Sequence, residues 1–242
     1  MGLITLEPKG KVVFVGDTHG DLEASQKVIN SYLNPNTRIC FLGDYVDRGP
    51  DSRGNLNFLL TIQRKNKAQI HLLKGNHETF HLKPFSPADF WLSLNEGELQ
   101  KYVGALDKFP LAISVGDIIA LHGALPNIND LKEIDNLLPQ DPNFKAIVWG
   151  DLTEQSGADG QGIWGGTRAR FGPEYFARVM ARVGKSVLIR SHDPRAEGSM
   201  YNNKALTIFT SCAYGTNRTV AIANFDQNPR IKSIEDLTIE EI

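Results

Sequence analysis

Cysteine is scarce, with only Cys40 and Cys212 among 242 residues. Each lies in or beside an apolar stretch, so both are expected to be buried as small hydrophobes, without a disulfide and in a reducing compartment. An excess of one charge is also lacking. Lys and Arg total 26 against 28 Asp and Glu, which offers no basic surface to neutralise a nucleic-acid backbone and weakens that class of partner. No segment approaches the roughly 20 apolar residues needed to cross a bilayer. Residues 1 to 15 lack the basic region, apolar run and cleavage site of a secretion signal. Met1-Gly2 begins like a myristoylation signal, but Leu6 stands where that signal requires Ser or Thr. No membrane partner and a cytoplasmic location are the expectations. Gly-x-Gly-x-x-Gly is missing after any early strand, and Gly184-Lys185-Ser186 ends like a P-loop with Val179 where Gly is required.

With no repeat, low-complexity tract or convincing linker, residues 1–242 are read as a single domain, and 41% hydrophobic content is enough for a large core. Short apolar runs ending in turn residues mark strands at Val12–Val15, Ile39–Leu42, Ile70–Leu73, Ile118–Leu121 and Val187–Ile189. Helical stretches at Asp21–Leu33, with Asp21 as N-cap, and at Asn55–Arg64 separate the first three in a βαβαβ pattern. Residues 86–107 read as helical. Beyond 110, strands at Leu111–Val115, Ala205–Phe209 and Thr219–Phe225 and a helix at Glu174–Val183 predict a more antiparallel second half. Two mixed sheets packed together with helices outside follow. Gly150–Gly172 reads as a long surface loop.

The informative residues follow the strands. Val12–Val15 runs into Gly16-Asp17-Thr18-His19-Gly20, Ile39–Leu42 into Gly43-Asp44-Tyr45-Val46-Asp47-Arg48-Gly49, and Ile70–Leu73 through Lys74 into Gly75-Asn76-His77-Glu78. Asp17, Asp44 and Asn76 are 27 and 32 residues apart, close to the roughly 30 of one βαβ unit. They should project from neighbouring strands at the carboxyl edge of a parallel sheet, where open α/β sheets place ligands. Two later strands end in His122-Gly123 and Arg190-Ser191-His192. Four of six histidines (His19, His77, His122, His192) thus stand at strand ends, and only His71 and His81 do not. Glycine before each ligand is expected to let the backbone approach an anion or metal.

Carboxylate, amide and imidazole donors without thiolate suit Mn²⁺, Fe or Zn²⁺ and are too many for one open catalytic ion. Two divalent ions sharing a carboxylate, roughly 3.5–4 Å apart, can generate hydroxide and hold a phosphoryl group for in-line displacement. Arg48 matches phosphate oxygens with its guanidinium fork, His77 can protonate the leaving oxygen, and Asp47 can orient that imidazole.

These blocks resemble the PPP family of metal-dependent serine/threonine protein phosphatases, and Leu121-His122-Gly123 and Arg190-Ser191-His192 resemble its later histidine segments. The similarity spans roughly residues 11 to 225. The resemblance implies an αββα sandwich of the calcineurin-like metallophosphoesterase type and a phosphorylated protein or peptide as substrate. It implies that Asp17, His19 and Asp44 hold one ion and Asp44, Asn76, His122 and His192 the other, with Mn²⁺ first and Fe or Zn²⁺ as alternatives. It further implies His77 paired with Asp47 and phosphate contacts from Arg48, Asn76 and a second arginine. Thr167-Arg168-Ala169-Arg170-Phe171-Gly172 departs in spacing from the family pattern, so Arg168 is the choice and Arg170 the alternative. Ser211-Cys212-Ala213-Tyr214-Gly215 resembles a shortened late loop, placing Tyr214 at the rim or, alternatively, merely against a strand end.

Three rivals share the fold: a symmetrical dinucleoside tetraphosphate hydrolase, a nucleic-acid end phosphatase and a catalytically dead binding module. The first usually has Ala at the position of Asp47 and Asp at that of Glu78, so both residues point to the protein phosphatases. Substrate choice is expected from residues 80–107 and 150–172, where Phe85, Trp91 and Trp164 either line a groove or pack the core, with core packing preferred for Trp91. Regulatory subunits and the oligomeric state are not legible in the sequence.

Overall fold

The computed structural model describes residues 2–160, 168–196, 198–215 and 217–242, so Trp164 and Thr167 lie outside the described residues. In chain order the strands are β1 (Leu3–Leu6), β2 (Lys11–Val15), β3 (Thr37–Phe41), β4 (Ile70–Leu72), β5 (Ala112–Val115), β6 (Ile118–Leu121), β7 (Asp151–Leu152), β8 (Arg170–Phe171), β9 (Val187–Arg190), β10 (Ser199–Met200), β11 (Ala205–Thr207), β12 (Thr219–Asn224) and β13 (Thr238–Glu241). The helices are α1 (Leu22–Tyr32), α2 (Ser52–Lys65), α3 (Asp89–Leu92), α4 (Glu96–Leu106), α5 (Pro142–Trp149) and α6 (Pro173–Val183).

One sheet runs β13-β12-β2-β3-β4, with β2, β3 and β4 parallel. The other runs β1-β5-β6-β9-β11-β10. Its pairs β1/β5, β6/β9 and β9/β11 are parallel, whereas β5/β6 and β10/β11 are antiparallel. The second half is more antiparallel than the first, as expected, with β12 antiparallel to both β2 and β13, while α6 acts as a crossover that brings β9 parallel to β6.

Side-chain alternation builds the layers. Val12 and Phe14 of β2 meet Ile113, Val115, Ile118, Ala120, Val187 and Ile189 of the other sheet in a shared central cluster. Val13 and Val15 point the opposite way, onto Val28, Ile29, Leu56 and Leu59 of α1 and α2. On the far side, Ile119, Leu121 and Leu188 pack on Phe144 and Ile147 of α5 and on Phe176, Val179 and Met180 of α6. This is the helix, sheet, sheet, helix sandwich expected. Both faces of the inner strands are covered, which is why they read as continuous apolar runs.

Asp21 caps α1 by accepting the Ala24 N–H at 3.0 Å, and Asp51 caps α2, which starts at Ser52 instead of Asn55. The helical stretch within 86–107 divides into α3 and α4, and an Asn95–Glu98 capping box restarts the chain at α4. The loop between residues 150 and 172 includes β7 and β8, paired in parallel. Cys40 is buried as expected, but Cys212 is exposed. The apolar run ends before it, and its backbone N–H donates to Asp21 Oδ2 at 2.8 Å to hold the turn at the surface. Both thiols are free. Among the described residues no helix is long and apolar enough to cross a membrane.

Candidate metal and phosphate site

The carboxyl ends of β2, β3 and β4 meet those of β6 and β9 where the two sheets adjoin, and every histidine following these strands arrives there. The loops are bound to one another by the main chain. Thr18 and His19 donate to Asp44 O at 3.1 and 2.9 Å, Gly20 donates to Tyr45 O at 2.9 Å, and Asp17 N donates to Ser191 Oγ at 2.8 Å. His19, Asp44, Asp47, Arg48 and His192 all have positive φ, between 42° and 77°. Five non-glycine residues in this sparsely allowed region concentrate backbone strain at one place, and the loop-to-loop hydrogen bonds hold it there.

The glycines before Asp44 and Asn76 are needed where the ligand loops meet. A Cβ at Gly75 would overlap Asp44 Oδ1, and one at Gly43, where φ is 113°, would press on the Gly75 main chain. Their small size lets the two ligand loops turn tightly and approach each other.

Asp17, His19, Asp44, Asn76, His77, His122 and His192 are all buried. Asp44 Oδ2 is the centre of the group, 3.7 Å from His19 Nε2, 3.8 Å from His77 Nε2 and 3.4 Å from His122 Nε2. Asp17 Oδ2 is 3.6 Å from His19 Nε2 and has no hydrogen-bond partner among the described residues. His122 Nε2 faces Asn76 Oδ1 and His192 Nδ1, both at 3.1 Å. The opposite ring atoms, His19 Nδ1 and His122 Nδ1, lie 2.9 and 3.0 Å from the carbonyls of Val46 and Leu42, so each donates there and turns a lone pair inward. Lone pairs and carboxylate oxygens thus converge with few donors between them, which a cation satisfies and a water network does not. Two overlapping donor groups result, His19, Asp44 and His77 in one and Asp44, His122 and His192 in the other. Burial raises Asp17 to about 7 and Asp44 to about 8, and it holds His19, His77 and His192 well below the ordinary imidazole value. Without a cation the cluster therefore favours neutral forms.

Asp47 Oδ2 lies 2.6 Å from His77 Nδ1, while its Oδ1 accepts the Phe90 N–H at 2.8 Å. Arg48 N donates to Asp89 Oδ1 at 3.0 Å, and its buried Nε is without a partner among the described residues. A cavity of about 300 Å³ opens over these groups, walled by His19, Arg48, His77, Arg168, His192 and Tyr214 among others. Arg168 reaches this wall and also pairs with Asp151, Nη1 to Oδ2 at 3.6 Å. Arg170 is exposed on β8 and does not line the cavity. Tyr214, 44% exposed, stands at the rim with its ring centroid 5.7 Å from that of His19 and 5.6 Å from that of Phe209. Rim position and strand-end packing both hold for it.

Trp91 is buried, and its Nε1 donates to His77 O at 2.9 Å. Phe85 is half-buried and packs on the core beside His77, with 4.5 Å between centroids, and leads to Trp149 at 5.5 Å and on to His192 at 6.2 Å.

Three further residues support the site that strand-end reasoning does not single out. Glu78 accepts the N–H groups of Asp44 and Gly75 through Oε2, both at 2.8 Å, and of Tyr45 through Oε1 at 3.0 Å. Arg190, fully buried, donates to Gly123 O at 2.6 Å and approaches Asp151 at 3.4 Å. Asp151 also faces His192 Nε2 at 3.7 Å. Its signal in the sequence is another Gly-Asp pair, Gly150-Asp151, masked because a helix precedes it instead of an early strand.

The family model for calcineurin-like phosphoesterases matches residues 10–196. An Encephalitozoon cuniculi protein named as a probable serine/threonine-protein phosphatase is 27% identical over 88% of this chain and 49% of its own length. Serine/threonine-protein phosphatase T of Aspergillus oryzae is 26% identical over 84% of this chain and 46% of its own. The chain thus spans about half the length of these curated relatives. A solved protein serine/threonine phosphatase of Saccharomyces cerevisiae, described as similar to human phosphatase PP5, superposes with a TM-score of 0.83 at 24% identity. It covers 99% of this chain and 83% of that one.

Proposed function

Because this chain belongs to the calcineurin-like phosphoesterase family, we propose that it is a metal-dependent serine/threonine protein phosphatase acting on phosphorylated protein or peptide side chains. One observation carries the reading: Asp44 Oδ2 lies 3.7 Å from His19 Nε2 and 3.4 Å from His122 Nε2, beside the unpartnered Asp17 Oδ2. Donors of that chemistry fit divalent cations bound by nitrogen and oxygen, Mn²⁺ first and Fe or Zn²⁺ as alternatives. Asp17, His19 and Asp44 would hold one ion, and Asp44, Asn76, His122 and His192 the second. When bound, such a pair supplies Lewis acidity toward phosphoryl oxygens and a hydroxide nucleophile at neutral pH.

The side chains do the rest. Arg48 and Arg168 reach into the cavity from opposite loops, and their forks bind phosphoryl oxygens as negative charge builds during displacement. Asn76, whose Oδ1 faces His122, has its amide N–H₂ to donate to another phosphoryl oxygen. Tyr214 offers its hydroxyl from the rim. His77, whose Nε2 also lies 3.8 Å from Asp44 Oδ2, is assigned to proton transfer because a carboxyl group, Asp47, holds its Nδ1 at 2.6 Å where His19 and His122 meet main-chain carbonyls. As the P–O bond breaks, the serine or threonine oxygen takes the Nε2 proton. Burial and the Arg48 charge hold His77 well below the ordinary imidazole value, and burial raises its partner Asp47 to about 7, so the proton that Nε2 gives up is replaced at Nδ1 from the Asp47 carboxyl.

The decisive experiment measures phosphate release by metal-stripped protein, with and without Mn²⁺, from a phosphoserine peptide and from diadenosine tetraphosphate in parallel. Metal-restored release from the peptide is expected. Cleavage of the dinucleotide with an inert peptide would move the assignment to the dinucleoside tetraphosphate hydrolases, and inactivity on both would point to a binding module.

A further inference from the structure

Immediately after His192 the chain turns through Asp193-Pro194-Arg195, and this turn forms one wall of the cavity. It is anchored to the end of β9. Asp193 N donates to Ser191 O and Arg195 N to Asp193 Oδ1, each at 3.0 Å, and Ala196 N donates to Asp193 O at 3.2 Å. Pro194 removes one backbone freedom between them. Arg195 is consequently held at the mouth of the reacting centre even though its side chain is exposed.

Three arginines line the cavity, and their surroundings differ. The Arg48 charge acts on the buried Asp47 while its main-chain N–H donates to Asp89, and Arg168 pairs with Asp151. The Arg195 guanidinium has no ion-pair partner among the described residues, and Asp193, two residues before it, is already engaged, accepting the Arg195 N–H and acting on the buried Arg190; Glu197, equally near in sequence, lies outside the described residues. A cavity of about 300 Å³ is at the lower end of ligand pockets, with room for a phosphorylated side chain and one neighbouring group. An unpaired cation at that second position calls for a second anion on the substrate.

We propose that Arg195 forms an anionic subsite that receives the carboxylate of an Asp or Glu beside the phosphorylated residue of a peptide, so that acidic phosphosites are preferred. This rests on the phosphopeptide reading above. An exposed ion pair is worth about 0.2–1 kcal/mol, so the preference is a modest factor that fades as salt screens it.

The test compares kcat/KM for phosphoserine peptides flanked on both sides by Asp, Ala or Lys, using wild type, Arg195→Ala and Arg195→Glu at low and high ionic strength. Turnover of p-nitrophenyl phosphate by the same preparations reports the reacting centre. Wild type is expected to favour the Asp peptide over the Ala peptide by about twofold to fivefold, mainly through KM. The alanine variant should lose the order, the glutamate variant should reverse it, and high salt should compress it. No order in wild type, or an order that persists in Arg195→Glu, would overturn the subsite. Inert peptides with active p-nitrophenyl phosphate and diadenosine tetraphosphate hydrolysis would overturn the phosphopeptide reading together with it.

Discussion

Asp47 and His77 are joined by a 2.6 Å contact between Oδ2 and Nδ1, and both side chains are buried. Asp47 is held in turn by the Phe90 N–H on its other oxygen, and its own N–H donates to Ser52 Oγ at 2.8 Å. The imidazole is thereby held in one orientation, with Nδ1 on Asp47 and Nε2 toward the cavity. His77→Asn is expected to lower kcat by roughly 10²- to 10⁴-fold while metal content stays at the wild-type level. Unaltered turnover would remove His77 as the acid, and lost metal would make it a ligand.

Asp44→Asn and Asp17→Asn should act on metal and activity together, since each removes a carboxylate from the converging donors. Metal analysis after dialysis is expected to show loss of bound Mn²⁺ in both, with turnover reduced to background.

Arg168 and Arg170 are two residues apart, yet only Arg168 lines the cavity. Arg168→Ala should lower kcat/KM for p-nitrophenyl phosphate by roughly tenfold to a hundredfold, the weight of a charge-assisted contact to phosphate. Arg170→Ala should stay within about twofold. The reverse ranking would reassign the second phosphate-binding arginine.

Glu78 accepts three main-chain N–H groups with two carboxylate oxygens. An amide supplies one acceptor oxygen and turns N–H₂ toward the remaining donors. Glu78→Gln is therefore expected to cost about 1–3 kcal/mol in denaturant unfolding and to weaken metal retention, because the same bonds position Asp44 and Gly75.

The metal-free protein should become less stable as pH rises. Burial raises Asp17 from 3.8 to about 7 and Asp44 to about 8. A carboxyl with a raised folded-state value stabilises the fold fully below its unfolded value, and that contribution is lost as pH climbs through the folded one. Melting temperature without metal should fall between about pH 6.5 and about pH 8, above the range in which the buried neutral histidines oppose the trend, and Mn²⁺ should restore more at the upper end, where the carboxylates are free to bind it. A flat profile without metal would contradict this.

Periodicity and strand-end chemistry were legible in the chain itself. Val12–Val15, Ile39–Leu42 and Ile70–Leu73 are apolar on both faces because both faces are covered, and the Gly-Asp, Gly-Asp and Gly-Asn pairs after them mark one sheet edge. Less legible were β1, β13 and α5. β1 depends on a parallel partner more than 100 residues away, and β13 is exposed along its length, so neither carries a burial pattern. Cys212 looked buried because an apolar run precedes it, but the run ends in a surface turn.

The sequence alone determined which residues stand at the sheet edge, since side-chain type and position after a strand are local properties. Only the tertiary structure decided how they meet: that Asp44 faces three imidazoles, that Glu78 ties two loops, that Arg168 rather than Arg170 reaches the cavity, and that Asp151 stands behind His192. Those relations join residues from two different sheets or from loops tens of residues apart. Local pattern does not encode them, because they are set by how the sheets pack through their shared core.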